Sequence, residues 1–221
     1  QLDQVYLHDL KEYNKILMQR NKLLKQISFQ PSLEDTLDIW DMQLLQYGES
    51  IIKRRSQFIE EIGETVTKVN ENLTGNKEHL QMLYEPDVTI DEFANKLNNY
   101  RERDKKLFST SVGPHRDDLC FMNKDIDIRK YGSQGQQRTC ALSLKLAEIE
   151  IVKNMTGDSP VLLLDDVLSE LDRNRQNYLL DSIHDIQTII TCTGIEEFID
   201  SRLTLDRIFR IKEGTVFIEK E

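Results

Sequence analysis

The chain has 221 residues, 38% of them hydrophobic and 31% charged, enough for one large domain or two small ones. Its net charge of −10 (29 Lys and Arg against 39 Asp and Glu) speaks against a broad nucleic-acid surface and leaves only a local basic stripe to make one. No apolar run approaches the roughly 18 residues that span a bilayer, which excludes a membrane-spanning helix.

The chain opens at Gln1 directly inside a helical pattern with no capping residue before it, which reads as a piece of something longer. Leu2, Val5, Tyr6, Leu10, Tyr13, Ile16, Leu17, Leu23, Leu24 and Ile27 recur at three- and four-residue steps, one apolar stripe on a long helix. Pro31-Ser32 restarts the chain. Ser32 is a candidate N-cap, with Asp35 three residues on. From Leu33 through Trp40, Leu44, Ile51, Ile62 and Val69 the same period runs to about Leu73, so two long antiparallel helices are expected. After Gly75, residues 80–84 read as a strand stopped by Pro86, and 91–107 as one more helix. Beyond 108 the pattern predicts a hairpin (119–121 and 126–128), a helix over 133–154, a buried strand at 161–164 and a helix over 173–184. A strand at 188–191 and a last hairpin turning at Glu213-Gly214 complete it. Strands alternating with helices predict a parallel sheet covered on both faces.

Cys120, Cys140 and Cys192 are odd in number and never form C-x-x-C. Each is expected to be a small buried filler in a reducing, cytoplasmic setting, with no disulfide framework and no zinc site. His8, His79, His115 and His184 show no metal-ligand spacing.

Two segments carry chemistry. Leu162-Leu163-Leu164-Asp165-Asp166 is an apolar strand ending in carboxylates, which places them at the C-terminal sheet edge where open α/β folds bind ligands. One such acid can hold Mg²⁺ through its hydration shell while the next orients or deprotonates water. A strand that merely exits into a polar loop would read the same. Gly132-Ser133-Gln134-Gly135-Gln136-Gln137-Arg138 opens a helix whose cap, glycine and dipole favour a phosphate; an ordinary polar first turn is the alternative.

Together they discriminate. Ser-x-Gly-Gln at a helix start, the strand with paired acids, then Ser169-Glu170-Leu171-Asp172 resemble, in order, the signature motif, Walker B and D-loop of ABC-type ATPases. The wording YGSQGQQR, LSLKLAEIE and LLLDDVLSELD is similar to the RecF family more than to any transporter. The stretch 111–119, SVGPHRDDL, and Gln19-Arg20-Asn21 followed by Leu23-Leu24-Lys25 extend the likeness over essentially the whole chain. The resemblance implies an α/β fold: a C-terminal lobe of an ABC-type ATPase head over 109–221, its parallel sheet flanked by helices, after a long-helix, mostly α domain over 1–108. It implies a parent that binds ATP, Mg²⁺ and DNA at single-strand or gap junctions and dimerises on ATP. Recombinational repair, replication restart and the SOS response would be its tasks, with RecR and RecO as the family's usual partners. Asp165 takes the metal role and Asp166 the catalytic one. Ser133, Gly135 and Gln136 would face the nucleotide of another subunit, and Asp172 the dimer interface. Thr191 and Thr193 stand where most ABC proteins carry a switch His. The spacing of His115-Arg116-Asp117-Asp118 fits a salt-bridge cluster or a functional site equally.

None of the nine glycines falls in G-x-x-x-x-G-K-[ST], so the phosphate loop is expected upstream of Gln1 and this chain alone is expected not to hydrolyse ATP. A transporter ATPase would carry Glu-Pro after the Walker B Asp, where this chain has Asp166-Val167. Another ABC- or SMC-like head, or a non-hydrolysing interaction module, are the competing readings.

Overall fold

The computed structural model describes residues 3–193 and 206–219. Helix α1 (Gln4–Ile27) starts where the Asp3 carboxylate accepts the Tyr6 N–H at 2.9 Å. It runs antiparallel to α2 (Leu37–Thr74). Asp3 pairs with Arg54 at 2.6 Å, Asp9 accepts the Ser50 hydroxyl at 2.5 Å and Arg20 meets Asp41 at 2.6 Å, so partner numbers fall as positions rise. Tyr13, Ile16 and Leu24 from α1 and Leu37, Leu44 and Ile51 from α2 are buried between them. Ser32 is not the cap. Pro31 fixes its own φ and opens a 3-10 turn, Pro31–Thr36, so the capping position falls before it on Gln30. Helix α2 continues for 38 residues, about 57 Å at 1.5 Å per residue. It ends at Gly75 in the left-handed region, where Asn76 N–H closes on the Glu71 carbonyl at 2.7 Å.

Strand β1 (Leu80–Glu85) pairs antiparallel with β2 (Asp118–Asn123), which turns into β3 (Ile126–Asp127). The divide expected at residue 108 is thus bridged by main-chain hydrogen bonds. Between β1 and β2 lie α3 (Ile90–Asn99) and α4 (Arg101–Leu107), where a single helix was expected. Tyr100, at φ −90 and ψ 0, breaks it. Distant partners hold the break open: Arg101 reaches Asp38 and Asp41 at 2.6 Å each, and Asp104 reaches Arg20 at 2.8 Å.

Helices α5 (Ile128–Tyr131) and α6 (Gln134–Thr156) follow, then β4 (Leu162–Asp165), α7 (Arg173–Ser182) and β5 (Thr188–Thr191). Strands β4 and β5 are parallel, as the alternation of strands and helices predicts. The last hairpin, β6 (Ile208–Lys212) and β7 (Thr215–Glu219), turns at Glu213-Gly214, both at positive φ. The far half of α2 enters the second core: Ile62, Val66, Val69 and Leu73 pack with Phe121, Leu142, Leu146, Ala147, Leu164 and Leu179. One helix therefore belongs to both cores.

Among the described residues, the β4–β5 sheet packs against the core on one face. Leu164 is buried and Leu162 and Ile190 pack partly against the core, whereas Leu163 is 70% and Ile189 57% exposed on the opposite side. An unbroken apolar run hides which of its faces has a neighbour. Cys120 and Cys140 are buried as expected, and burial pushes the Cys140 thiol up to about 11. Cys192 is exposed, at the open end of β5.

The SVGPHRDDL stretch fastens the two cores together. The Asp117 carboxylate accepts from Arg55 at 2.8 Å, from the Asp87 N–H at 3.0 Å and from the Tyr84 hydroxyl. A Cβ at Gly113, whose φ is +130, would stand 2.5 Å from the Tyr13 hydroxyl, so only glycine fits this approach. His115 Nε2 faces the Thr110 carbonyl at 3.0 Å, which fixes the proton on Nε2. Nδ1 then accepts from the Tyr13 hydroxyl at 2.8 Å. Burial is the largest influence on His115 and lowers its pKa. Between the ordinary value near 6.5 and that lowered value the unfolded chain binds more protons, so stability is full above about pH 6.5 and falls below it. Melting followed at about pH 7.5 and 5.5 should show a larger acid loss in the parent than in His115→Gln. Equal losses would remove His115 from the account.

Candidate functional site

Asp165 is the last residue of β4 and stands opposite Thr191 in the parallel register. The Thr191 hydroxyl donates to Asp165 Oδ1. The next residue, Asp166, takes φ +50, a region L-residues enter at a cost of roughly 1–2 kcal/mol. Its N–H is held at 3.1 Å by both the carbonyl and the hydroxyl oxygen of Thr191. Its carbonyl accepts the Ser169 hydroxyl at 2.9 Å. Both carboxylates are exposed, and that of Asp166 makes no hydrogen bond or ion pair among the described residues. An unpaired acid in a strained turn at the sheet edge is free to act on something brought to it.

Beyond the turn, Leu168–Glu170 form a 3-10 step and Asp172 caps α7. It accepts from the Asn174 and Arg175 N–H groups at 3.0 and 3.2 Å and from the Arg175 guanidinium at 2.9 Å. Asp172 thus has a full structural occupation within its own chain. Thr193 lies just past β5, exposed and without a hydrogen bond among the described residues.

The second group sits at the start of α6. Ser133 Oγ accepts the Gln136 N–H at 3.3 Å, and Gln136 Oε1 accepts the Ser133 N–H at 2.9 Å, a reciprocal capping box. The sequence suggested Ser133 as the cap and left the returning arm from Gln136 unread. Gln137 ties this start to α5 through the Ile128 and Arg129 carbonyls, both at 3.2 Å. Gly135 lies in the first turn, and a Cβ there would meet nothing within 4 Å. Nothing inside the chain requires a glycine at 135, where Ala would favour the helix by about 1 kcal/mol. The open space fits a group approaching from outside.

Ser133, Gly135 and Gln136 share no hydrogen bond with Asp165 or Asp166 among the described residues. No cluster of three or more His, Cys, Asp and Glu that could hold a metal occurs among them either. Paired carboxylates suit Mg²⁺, which is usually held by one or two acids and completed by water and phosphate oxygens. The basic residues near α6 are largely engaged: Arg129 pairs with Asp118 at 2.5 Å and Lys130 with Asp127 at 2.9 Å. Arg55 and Tyr84, which hold Asp117 in the stretch leading into this lobe, lie 62 and 33 positions from it, and no local pattern announces them.

No family model matches the chain. It is 57% identical to the DNA replication and repair protein RecF of Lachnospira eligens, over 99% of this chain and 61% of that protein. With the protein of the same description from Clostridium perfringens it shares 44% identity, over 98% of this chain and 60% of the relative. Among solved structures it matches the recombination mediator protein RecF in the RecFOR pathway. The RecF-ATP form is 38% identical with a TM-score of 0.86, covering 99% of this chain and 60% of that one. The RecF-ATPrS form is 39% identical with a TM-score of 0.84, over 98% and 59%. The chain therefore spans about three fifths of the length of these relatives.

Proposed function

We infer, for a chain that belongs with the RecF proteins over the three fifths of their length it spans, that it supplies the signature and Walker B half of a DNA-repair ATPase. The observation that carries this is the Asp165–Asp166 turn at the open sheet edge, with one carboxylate unpaired and its backbone clamped by Thr191. ATP with Mg²⁺ would supply the transferable phosphoryl group and its counter-charge. Asp165 would hold the metal's hydration shell. The Asp166 carboxylate would orient the attacking water and accept its proton. Ser133 and Gly135 would present the α6 N-terminus to the γ-phosphate of a nucleotide held by a second copy of the complete protein. Backbone contacts to β- and γ-phosphates would come from the part of the relatives' length that lies outside this chain, and the exposed β4–β5 face (Leu163, Ile189) is apolar enough to receive that part. DNA binding by the complete protein, and contacts with RecR or RecO, belong to this reading as well. Arg129 and Lys130 at the α5–α6 corner are already paired with Asp118 and Asp127, which supports a main phosphate-contacting surface elsewhere in the complete protein.

The test is ATP turnover by the complete protein, with and without DNA. Asp166→Asn should reduce turnover at least a hundredfold and leave nucleotide binding intact, because the amide keeps the size and loses the base. Asp165→Asn should weaken Mg²⁺-dependent binding itself. Near-parent turnover in both variants would refute the assignment.

A further inference from the structure

Thr191 stands at the position read from the sequence as a phosphate switch, yet its hydroxyl is already committed inside the chain. A hydroxyl has one proton to give and two lone pairs to offer. Here the proton goes to Asp165 Oδ1, and the oxygen takes the Asp166 N–H at 3.1 Å, shared with the Thr191 carbonyl at the same distance. That leaves Asp165 Oδ2 without a hydrogen-bond partner among the described residues, on an exposed side chain. It also closes, from β5, a turn whose second residue is a non-glycine at φ +50.

We propose that Thr191 is the positioning residue of the acidic pair: one side chain sets the rotamer of Asp165 and the backbone turn that aims Asp166. The proposal rests on the ATPase reading above, and it makes a different demand on chemistry. A γ-phosphate sensor must have its donor free to meet the nucleotide. A positioning residue spends its donor on the carboxylate, and works before any nucleotide arrives. The neighbouring Thr193, exposed and unbonded among the described residues, has no such tie.

The experiment compares Thr191→Val, Thr191→Ser and Asp165→Asn in the complete protein. Valine matches threonine in shape and suits an exposed strand position, so it removes both hydrogen bonds with little strain. Serine keeps both. The first readout needs no turnover: hydrogen exchange of the peptide spanning 163–167, without nucleotide. The second is the Mg²⁺ concentration giving half-maximal ATP binding, and the third is the rate at saturating Mg²⁺. Thr191→Val keeps the carbonyl bond to the Asp166 N–H but loses the hydroxyl one, so the Asp166 amide should exchange severalfold faster, with severalfold more Mg²⁺ needed and turnover at least tenfold slower. Thr191→Ser should stay within about twofold of the parent on all three. Parent-like Mg²⁺ dependence and rate in Thr191→Val, with Asp165→Asn impaired, would overturn the positioning role and leave the ATPase reading standing. Loss of rate with exchange and Mg²⁺ dependence unchanged would also overturn it, in favour of direct sensing. If Asp165→Asn itself binds Mg²⁺ and ATP as the parent does, the ATPase reading fails and this proposal falls with it.

Discussion

Arg20→Ala is expected to lower the melting temperature by on the order of 10 °C. Arg20 is fully buried, as is Asp104. Its Nε donates to Asp41 at 2.6 Å, and Nη1 donates to Asp104 at 2.8 Å and to the Thr110 hydroxyl at 2.9 Å. Thr110 is in turn held by Asn21, which accepts its N–H and its hydroxyl at 2.8 Å each. One guanidinium therefore joins α1, α2, α4 and the strand-bound loop that follows. Removing it leaves a carboxylate in the interior with no counter-charge, a change that costs about 3–5 kcal/mol where it has been measured. At about 2–4 °C per kcal/mol for this size, a loss of about 6–20 °C follows. The double variant Arg20→Met with Asp104→Leu should recover much of it, since it is the stranded charge that does the damage and not the absence of the pair. A fall in Arg20→Ala of only a degree or two would mean that water reaches the site and screens it.

The same cluster shows where sequence reading stops. Gln19-Arg20-Asn21 carried part of the family resemblance, and nothing local said that Arg20 points inward. Its partners lie 21, 84 and 90 positions away, and a charge on a helical stripe ordinarily faces water. The long helices were legible because their 3.6-residue apolar period is fixed by the face they bury, and Gly75 marked its own helix end. The break at Tyr100 was not, since the residues that follow it pair with partners on other helices, far away in the chain. At the site, the order of cap, strand and acids could be read directly, because each is a local feature of chain direction. Clamping of Asp165 by Thr191 could not, as parallel register is set by packing and not by either strand alone. The exposure of Leu163 was hidden for a related reason: an unbroken apolar run does not say which face of the strand meets a neighbour among the described residues.

Gly135→Ala is expected to leave the fold intact or slightly stabilise it, and to abolish ATP-dependent association of the complete protein. Within the chain the added methyl meets nothing within 4 Å, and alanine in the first turn of α6 gains up to about 1 kcal/mol of helix propensity. A variant that harms only folding therefore cannot be the outcome. The methyl would instead occupy space open to the outside, where a γ-phosphate carried by a second copy has to approach the amides behind Ser133. Ser133→Arg should act in the same direction more severely. It deletes the cap accepting the Gln136 N–H at 3.3 Å, costing about 1 kcal/mol, and fills the approach with a long side chain. If the Ser133 group and the Asp165–Asp166 group serve two nucleotides across a two-fold axis, as proposed, ATP would be the joint between copies. Light scattering with ATP and Mg²⁺ should find the parent dimeric at tens of micromolar, where roughly −6 to −7 kcal/mol of association suffices. Both variants should remain monomeric while each copy still binds nucleotide, because that contact comes from the remainder of the complete protein. Dimers in Gly135→Ala at parent affinity would show that no phosphate reaches this helix from a second copy, and the trans role of Ser133, Gly135 and Gln136 would have to be given up.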